Sequence, residues 1–189
     1  NTRKNVFNNI FSSKTGQNNA HIALRSNNKI NGFTVVNDGS DSKKYWGTPT
    51  WFMFHSIAAR IDKDYYSNNY EKIWNFIKAT CGILPCPYCR YHAVQYVNKI
   101  AISQINTKEK LTEVLFEFHN SVNQKSYKKI YLKNELEKYK NANMTKIFNL
   151  FKSRFFKSYF LTREFQDWNK NKFKETFLNF VKETQEYYH

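Results

Sequence analysis

From residue 126 to His189, the last third of the chain, there is neither a proline nor a glycine. These are the strongest breakers of helices, proline through its missing N–H and glycine through its backbone entropy. Their absence leaves continuous helix as the simplest way to satisfy the backbone, and the apolar residues fall at the matching period. Ile147, Leu150, Phe151, Arg154 and Phe155 form one amphipathic stripe, and Phe173, Phe177, Phe180 and Val181 form another. Aromatic stripes at this spacing read as packing surfaces rather than cofactor sites. No internal repeat recurs at a fixed period, and nothing beyond a short FTVV at 33–36 resembles a strand, so the fold class is all-α.

The three prolines, Pro49, Pro85 and Pro87, all lie nearer the centre, where each can mark a helix boundary. Thr48 or Thr50 is an expected cap for a first helix carrying Trp51, Phe54, His55 and Ala58. A second helix is expected over residues 70–80 through Ile73, Trp74 and Ile77, broken by Gly82. A third follows Pro87, with Cys86, Cys89 and His92 around its first turn. A fourth, capped by Thr107, sets Leu111, Val114, Leu115, Phe118 and Val122 on one face.

Charge divides the chain in a similar way. Of a formal net charge of +15, residues 46–120 contribute eight basic against six acidic residues, and the flanks supply the remaining +13. We therefore expect a helical module at 45–130, a basic, extended N-terminal arm at 1–44, and a helical, aromatic-rich C-terminal extension at 131–189. The arm, rich in Asn, Ser, Lys and Thr, is either a mobile tail or a segment that orders against a partner. No run reaches the ~18–20 apolar residues a membrane span needs. No secretory signal opens the chain, whose first residue is Asn1 rather than Met.

All three cysteines sit in one stretch, CGILPCPYCRYH, from Cys81 to His92. Cys81, Cys86, Cys89 and His92 could ligate zinc as Cys3His, although structural sites usually recruit two separated pairs. Alternatively, Cys86 and Cys89 form a redox pair: a C-x-x-C at a helix start lies in the positive field of the helix dipole, which favours a thiolate. The third reading is buried thiols acting as small hydrophobes. The neighbours favour redox chemistry. The helix before carries W-x3-H, Trp51 and His55, and the helix after carries HNSVNQK, with His119 and Asn123 four residues apart on one face.

In that order, W-x3-H, C-x-x-C and H-N-x-V-N-x-K resemble the signature of the FAD-linked sulfhydryl oxidases of the Erv/ALR type, over roughly residues 45–130. The resemblance implies a four-helix bundle with a short fifth helix, clasping FAD beside the C-x-x-C, as a homodimer. It implies that Gly47, Thr48, Trp51, His55, His119, Asn120, Val122 and Asn123 line the FAD site, with Lys125 and Lys128 toward the phosphates. Cys89 would be the thiolate against the flavin and Cys86 the interchange thiol met by substrate. Electrons would pass from substrate protein dithiols to Cys86–Cys89, to FAD, and to O2, giving H2O2. No metal is implied, and Cys81 and His92 fall back to structural roles.

The chain departs from the family pattern in three respects. The basic residue often found ahead of the tryptophan is replaced within WGTPTW, no second shuttle pair of cysteines is present, and no further structural disulfide follows the VN motif. Substrate would reach Cys86 directly, or a shuttle lies in a missing terminus. The single-pair form resembles the compact oxidases of large DNA viruses, implying action on virion proteins in the virion or the host cytoplasm. The competing reading is a basic structural or packaging protein carrying an oxidase-like module, its flanks binding capsid proteins or nucleic acid.

Overall fold

The structure, a computed structural model, describes residues 40–160, 165 and 167–188. The expected arm at 1–44 lies almost wholly outside the described residues. Among those described, six α-helices dominate: α1 (Ser40–Arg60), α2 (Lys63–Gly82), α3 (Pro87–Val97), α4 (Lys108–Lys125), α5 (Met144–Phe160) and α6 (Asp167–Thr184). Short 3-10 stretches at Ile102–Ile105, Lys133–Asn141 and Gln185–Tyr187 join or finish them. The only β-type pairing among the described residues is an isolated bridge between Ile61 and Tyr188. The fold class is all-α.

Two helix starts differ from expectation. α1 begins at Ser40, so Pro49 lies inside the helix rather than at its boundary. Thr50 does not cap it: its hydroxyl donates to the Trp46 carbonyl at 2.8 Å, the i−4 back-bond that satisfies a buried threonine. α2 begins at Lys63, seven residues before the expected start, because Asp62 caps it through a 2.7 Å bond from the Tyr65 amide. The polar run Ser67, Asn68 and Asn69 looks unhelical, but each side chain donates to the carbonyl four residues back at 2.9 Å. Thr107 caps α4 as expected.

The helices after residue 131 are part of the same core as the central module. Among the described helices, the most extensive contact is that of α5 along α1. There Trp46 meets Phe155 edge-on at 6.5 Å, and the Arg154 guanidinium lies 4.8 Å from the Tyr45 ring centre. α6 covers α2, where Phe76 and Phe180 stack at 3.8 Å with planes 3° apart. Phe151, Phe155 and Phe177 are at most 1% exposed. At about 25 cal/mol per Å² of apolar area removed from water, such rings dominate the stabilisation. The chain end is pinned to the α1–α2 turn by the Asp62 amide bond to the Tyr187 carbonyl, the Tyr65–Tyr187 stack and a Lys72–Glu183 ion pair.

Candidate active site

Helices α1, α3 and α4 and the end of α2 enclose an open cavity of about 300 Å³, at the lower edge of the roughly 300–1,000 Å³ of small-molecule sites. α1 contributes Lys43, Lys44, Gly47, Thr48 and Trp51; these recur at four-residue intervals, which aligns them on one helix face. α4 contributes His119, Val122, Asn123 and Lys125, and Lys128 follows in the loop. α3 contributes Tyr88, Cys89 and His92.

Cys86 and Cys89 are joined by a disulfide with Cα atoms 5.2 Å apart. Cys86 is the N-cap of α3, its Sγ accepting from the Cys89 amide at 3.2 Å, with Pro87 at the first helical position. The two sulfurs are not equivalent: Cys89 lines the cavity, whereas Cys86 does not, and both residues are half-buried. A thiolate released at either position lies at the positive end of α3.

Trp51 stacks on His119 with ring centres 4.1 Å apart and planes 7° apart, and Tyr131 stacks on His119 at 4.8 Å. His55 does not line the cavity; it is 2% exposed and lies behind His119, with its Nε2 3.0 Å from His119 Nδ1. His55 Nδ1 has no hydrogen-bond partner. A buried orphan N–H is costlier than a bare ring nitrogen, so the favoured tautomer has His55 Nε2–H donating to His119 Nδ1. His119 then carries its own proton on Nε2. Burial, with Lys138 and Lys128 adding to it, pulls the His119 pKa down to about 4. Burial and the neighbouring His119 hold His55 well below the usual histidine range. Both rings are neutral near pH 7.

Asn120 is likewise outside the cavity lining. Its Nδ2 donates to the Tyr131 carbonyl at 3.0 Å, and its Oδ1 accepts from the Tyr131 amide at 2.7 Å. It clamps the loop that carries Lys128 and Tyr131 onto α4. Gly47, Thr48, Trp51, His119, Val122, Asn123, Lys125 and Lys128 thus come together with Cys89, while His55 and Asn120 support them from behind.

Several cavity residues were not singled out as site residues. Lys43 and Lys44 were hidden by the expected helix start; their four-residue spacing from Gly47 and Thr48 was the available signal. His92 lines the cavity with its Nδ1 accepting from Lys125 Nζ at 2.8 Å. Cys81 also lines it as a buried free thiol, its pKa pushed up by burial. The zinc arrangement does not form here: two of its cysteines share the disulfide, and among the described residues no group of three or more His, Cys, Asp or Glu could hold a metal ion.

The donor set suits a planar, anionic cofactor. Trp51 supplies a flat ring and His119 an N–H edge, Lys43, Lys44, Lys125 and Lys128 all line the cavity, and among the described residues no carboxylate does. A Cβ added at Gly47 would meet nothing within 4 Å, so the α1 backbone is open to close approach. The family model described as Erv1 / Alr matches residues 48–143. A FAD-linked sulfhydryl oxidase of African swine fever virus (isolate Tick/Malawi/Lil 20-1/1983) is 36% identical over 109 residues, 56% of this chain and 85% of the relative. The same-named protein of isolate Pig/Kenya/KEN-50/1950 is 37% identical over 90 residues, 46% of this chain and 71% of the relative.

Proposed function

Because the chain belongs to the Erv1/Alr family, we propose that it is a FAD-linked sulfhydryl oxidase that forms disulfides in substrate proteins, with Cys86–Cys89 as its redox pair. The observation that carries this reading is the asymmetry of the pair: Cys89 lines a cavity rich in flat rings and lysines, and Cys86 lies outside it.

A substrate thiolate attacks Cys86 Sγ, forming a mixed disulfide and releasing Cys89 as a thiolate toward the cavity. The second substrate thiol then attacks the substrate sulfur of that mixed disulfide. The substrate disulfide forms and Cys86 leaves as a thiolate, which the Cys89 amide and the α3 dipole stabilise. The two-electron chemistry that FAD supplies when bound is reoxidation of the Cys86–Cys89 dithiol, with O2 as acceptor and H2O2 as product. Trp51, which lines the cavity, would offer a planar face to the ring system; His119, stacked between Trp51 and Tyr131, would offer an Nε2–H donor at its edge, and the four lysines would neutralise the pyrophosphate. His55 and Asn120 act through His119 and the Lys128 loop. Val122 and Asn123 complete the α4 wall.

In this reading substrate meets Cys86, the sulfur that lies outside the cavity. We extend it to virion proteins as substrates during virion assembly in the host cytoplasm, a proposal motivated by the viral relatives. Among the described residues no helix is long and apolar enough to cross a membrane. For the proposed homodimer, α5 and α6 already cover faces of α1 and α2, so a self-contact would use other surfaces. Phe148, Phe151, Phe155, Phe156, Phe173, Phe177 and Phe180 are core residues, so these seven rings offer no stacking surface to nucleic acid.

Oxygen uptake with dithiothreitol tests the oxidase reading. The wild type should consume oxygen, Cys86→Ser and Cys89→Ser should fall to background, and Cys89→Ser should keep its flavin. A colourless protein that takes up no FAD would sink it, and light scattering measures the homodimer.

A further inference from the structure

Arg90 follows Cys89 and stands four positions after Cys86, so its side chain shares a face with the turn that carries the disulfide. It is held from several directions. The Arg90 amide donates to the Cys86 carbonyl at 2.8 Å, and its Nη1 donates to the Leu84 carbonyl at 3.1 Å, in the loop that leads into Cys86. On the other side, the guanidinium carbon lies 4.5 Å from the centre of the Phe165 ring. Phe165 packs on Tyr159 at 5.1 Å, and Tyr159 is fully buried against Phe155 and Phe173 in the α5–α6 core. Burial pushes the Tyr159 phenol up and the Arg90 charge opposes that push, so the cation is felt within this core. Tyr159 and Phe165 lie beyond residues 48–143, the segment matched to the family. Arg90 therefore links the redox turn to the C-terminal part of the core.

We infer that Arg90, clamped between the Leu84 carbonyl and the Phe165 ring, is a positioning residue through which the C-terminal helices tune the reduction potential of the Cys86–Cys89 pair. The inference rests on the redox role of that pair in the thiol-oxidase reading. The disulfide carries no charge, whereas its reduction creates thiolate at the start of α3. A cation held beside that turn stabilises the reduced form and so makes the disulfide more oxidising. An arginine suits the position because its planar fork donates at its edge while its face meets an aromatic ring; a lysine cannot do both.

The test is anaerobic equilibration of the purified full chain in glutathione buffers, with acid quench, alkylation and mass counting of modified cysteines. Arg90→Met should lower the equilibrium constant for reduction by roughly tenfold, which is about 30 mV for this two-electron couple. Phe165→Leu, which keeps an apolar side chain but removes the π face, should shift it in the same direction by less, and Arg90→Lys should fall between wild type and Arg90→Met. The pH midpoint for alkylation of reduced Cys86 should rise in Arg90→Met, a readout that loss of packing alone would not move in this direction. The Arg90→Met, Phe165→Leu double variant should match Arg90→Met alone, because both changes release one clamp. Folded Arg90→Met with the wild-type potential, or fully additive shifts in the double variant, would overturn the inference. In those cases wild-type turnover of dithiothreitol would persist, whereas failure of the oxidase reading would abolish turnover itself and leave the potentials measurable.

Discussion

Replacing Asn120 by alanine separates a clamp from a cofactor contact. In the folded chain its amide makes two hydrogen bonds to the backbone of Tyr131, at 3.0 and 2.7 Å, and the residue is part-buried. Truncation removes both and leaves a part-buried N–H and C=O on Tyr131 to find water. With a net value near 1 kcal/mol per bond and a further cost for imperfectly rehydrated groups, we expect a loss of about 2–3 kcal/mol. For a domain of this size each kcal/mol moves the melting midpoint by roughly 2–4 °C, so a fall of roughly 5–10 °C is expected. Urea titration and a thermal melt of the holoprotein measure it. Asn120→Asp keeps the acceptor for the Tyr131 amide but sets a carboxylate oxygen against the Tyr131 carbonyl, and should lie between the two. The Tyr131 ring, stacked 4.8 Å from His119, and Lys128 loosen together, so flavin affinity falls as a consequence. An unchanged midpoint with lost flavin would refute the clamp and make Asn120 a direct cofactor contact.

Three further outcomes follow from the same geometry. His119 has its folded pKa lowered to about 4, against an ordinary value of 6.5, so between those values the unfolded chain takes up a proton that the folded chain refuses. Its share of stability is complete above about pH 6.5 and is lost progressively as pH falls toward 4; urea midpoints at pH 5 and 7 should differ less in His119→Gln than in wild type. Cys81, whose thiol pKa burial pushes up, should resist iodoacetamide in the native reduced chain while Cys86 reacts, and label fully after denaturation, as read by mass spectrometry. Ending the chain after residue 143 removes α5 and α6 and uncovers Trp46 and Phe76; light scattering should show association, and a monodisperse truncated chain with wild-type melting would contradict the shared core.

The helices and the motif that unites them were legible because each rests on local signals. Thr107 could be read as a cap, and the absence of proline and glycine after residue 126 foretold α5 and α6. The start of α2 was not legible, since Ser67, Asn68 and Asn69 have low intrinsic helix propensity and only their back-bonds reconcile them with the helix. The sites of Lys43 and Lys44 were lost for a related reason: Pro49 inside α1 reads as a boundary and hid the turns before it. Motif order brought Trp51, His119, Asn123 and Cys89 into one neighbourhood, but no spacing rule could tell that His55 stands behind His119 or that Asn120 turns toward Tyr131. Those placements depend on the loop after α4. The Arg90–Phe165 contact, between residues 75 positions apart in sequence, depends wholly on tertiary packing.

The most direct test of the central claim is the visible spectrum of the purified protein during anaerobic addition of dithiothreitol. Wild type should show the flavin absorbance and lose it as electrons arrive from Cys86–Cys89, whereas Cys89→Ser should show the absorbance and keep it. Flavin absorbance that bleaches equally in Cys89→Ser, or that never appears in wild type reconstituted with FAD, would contradict the assignment.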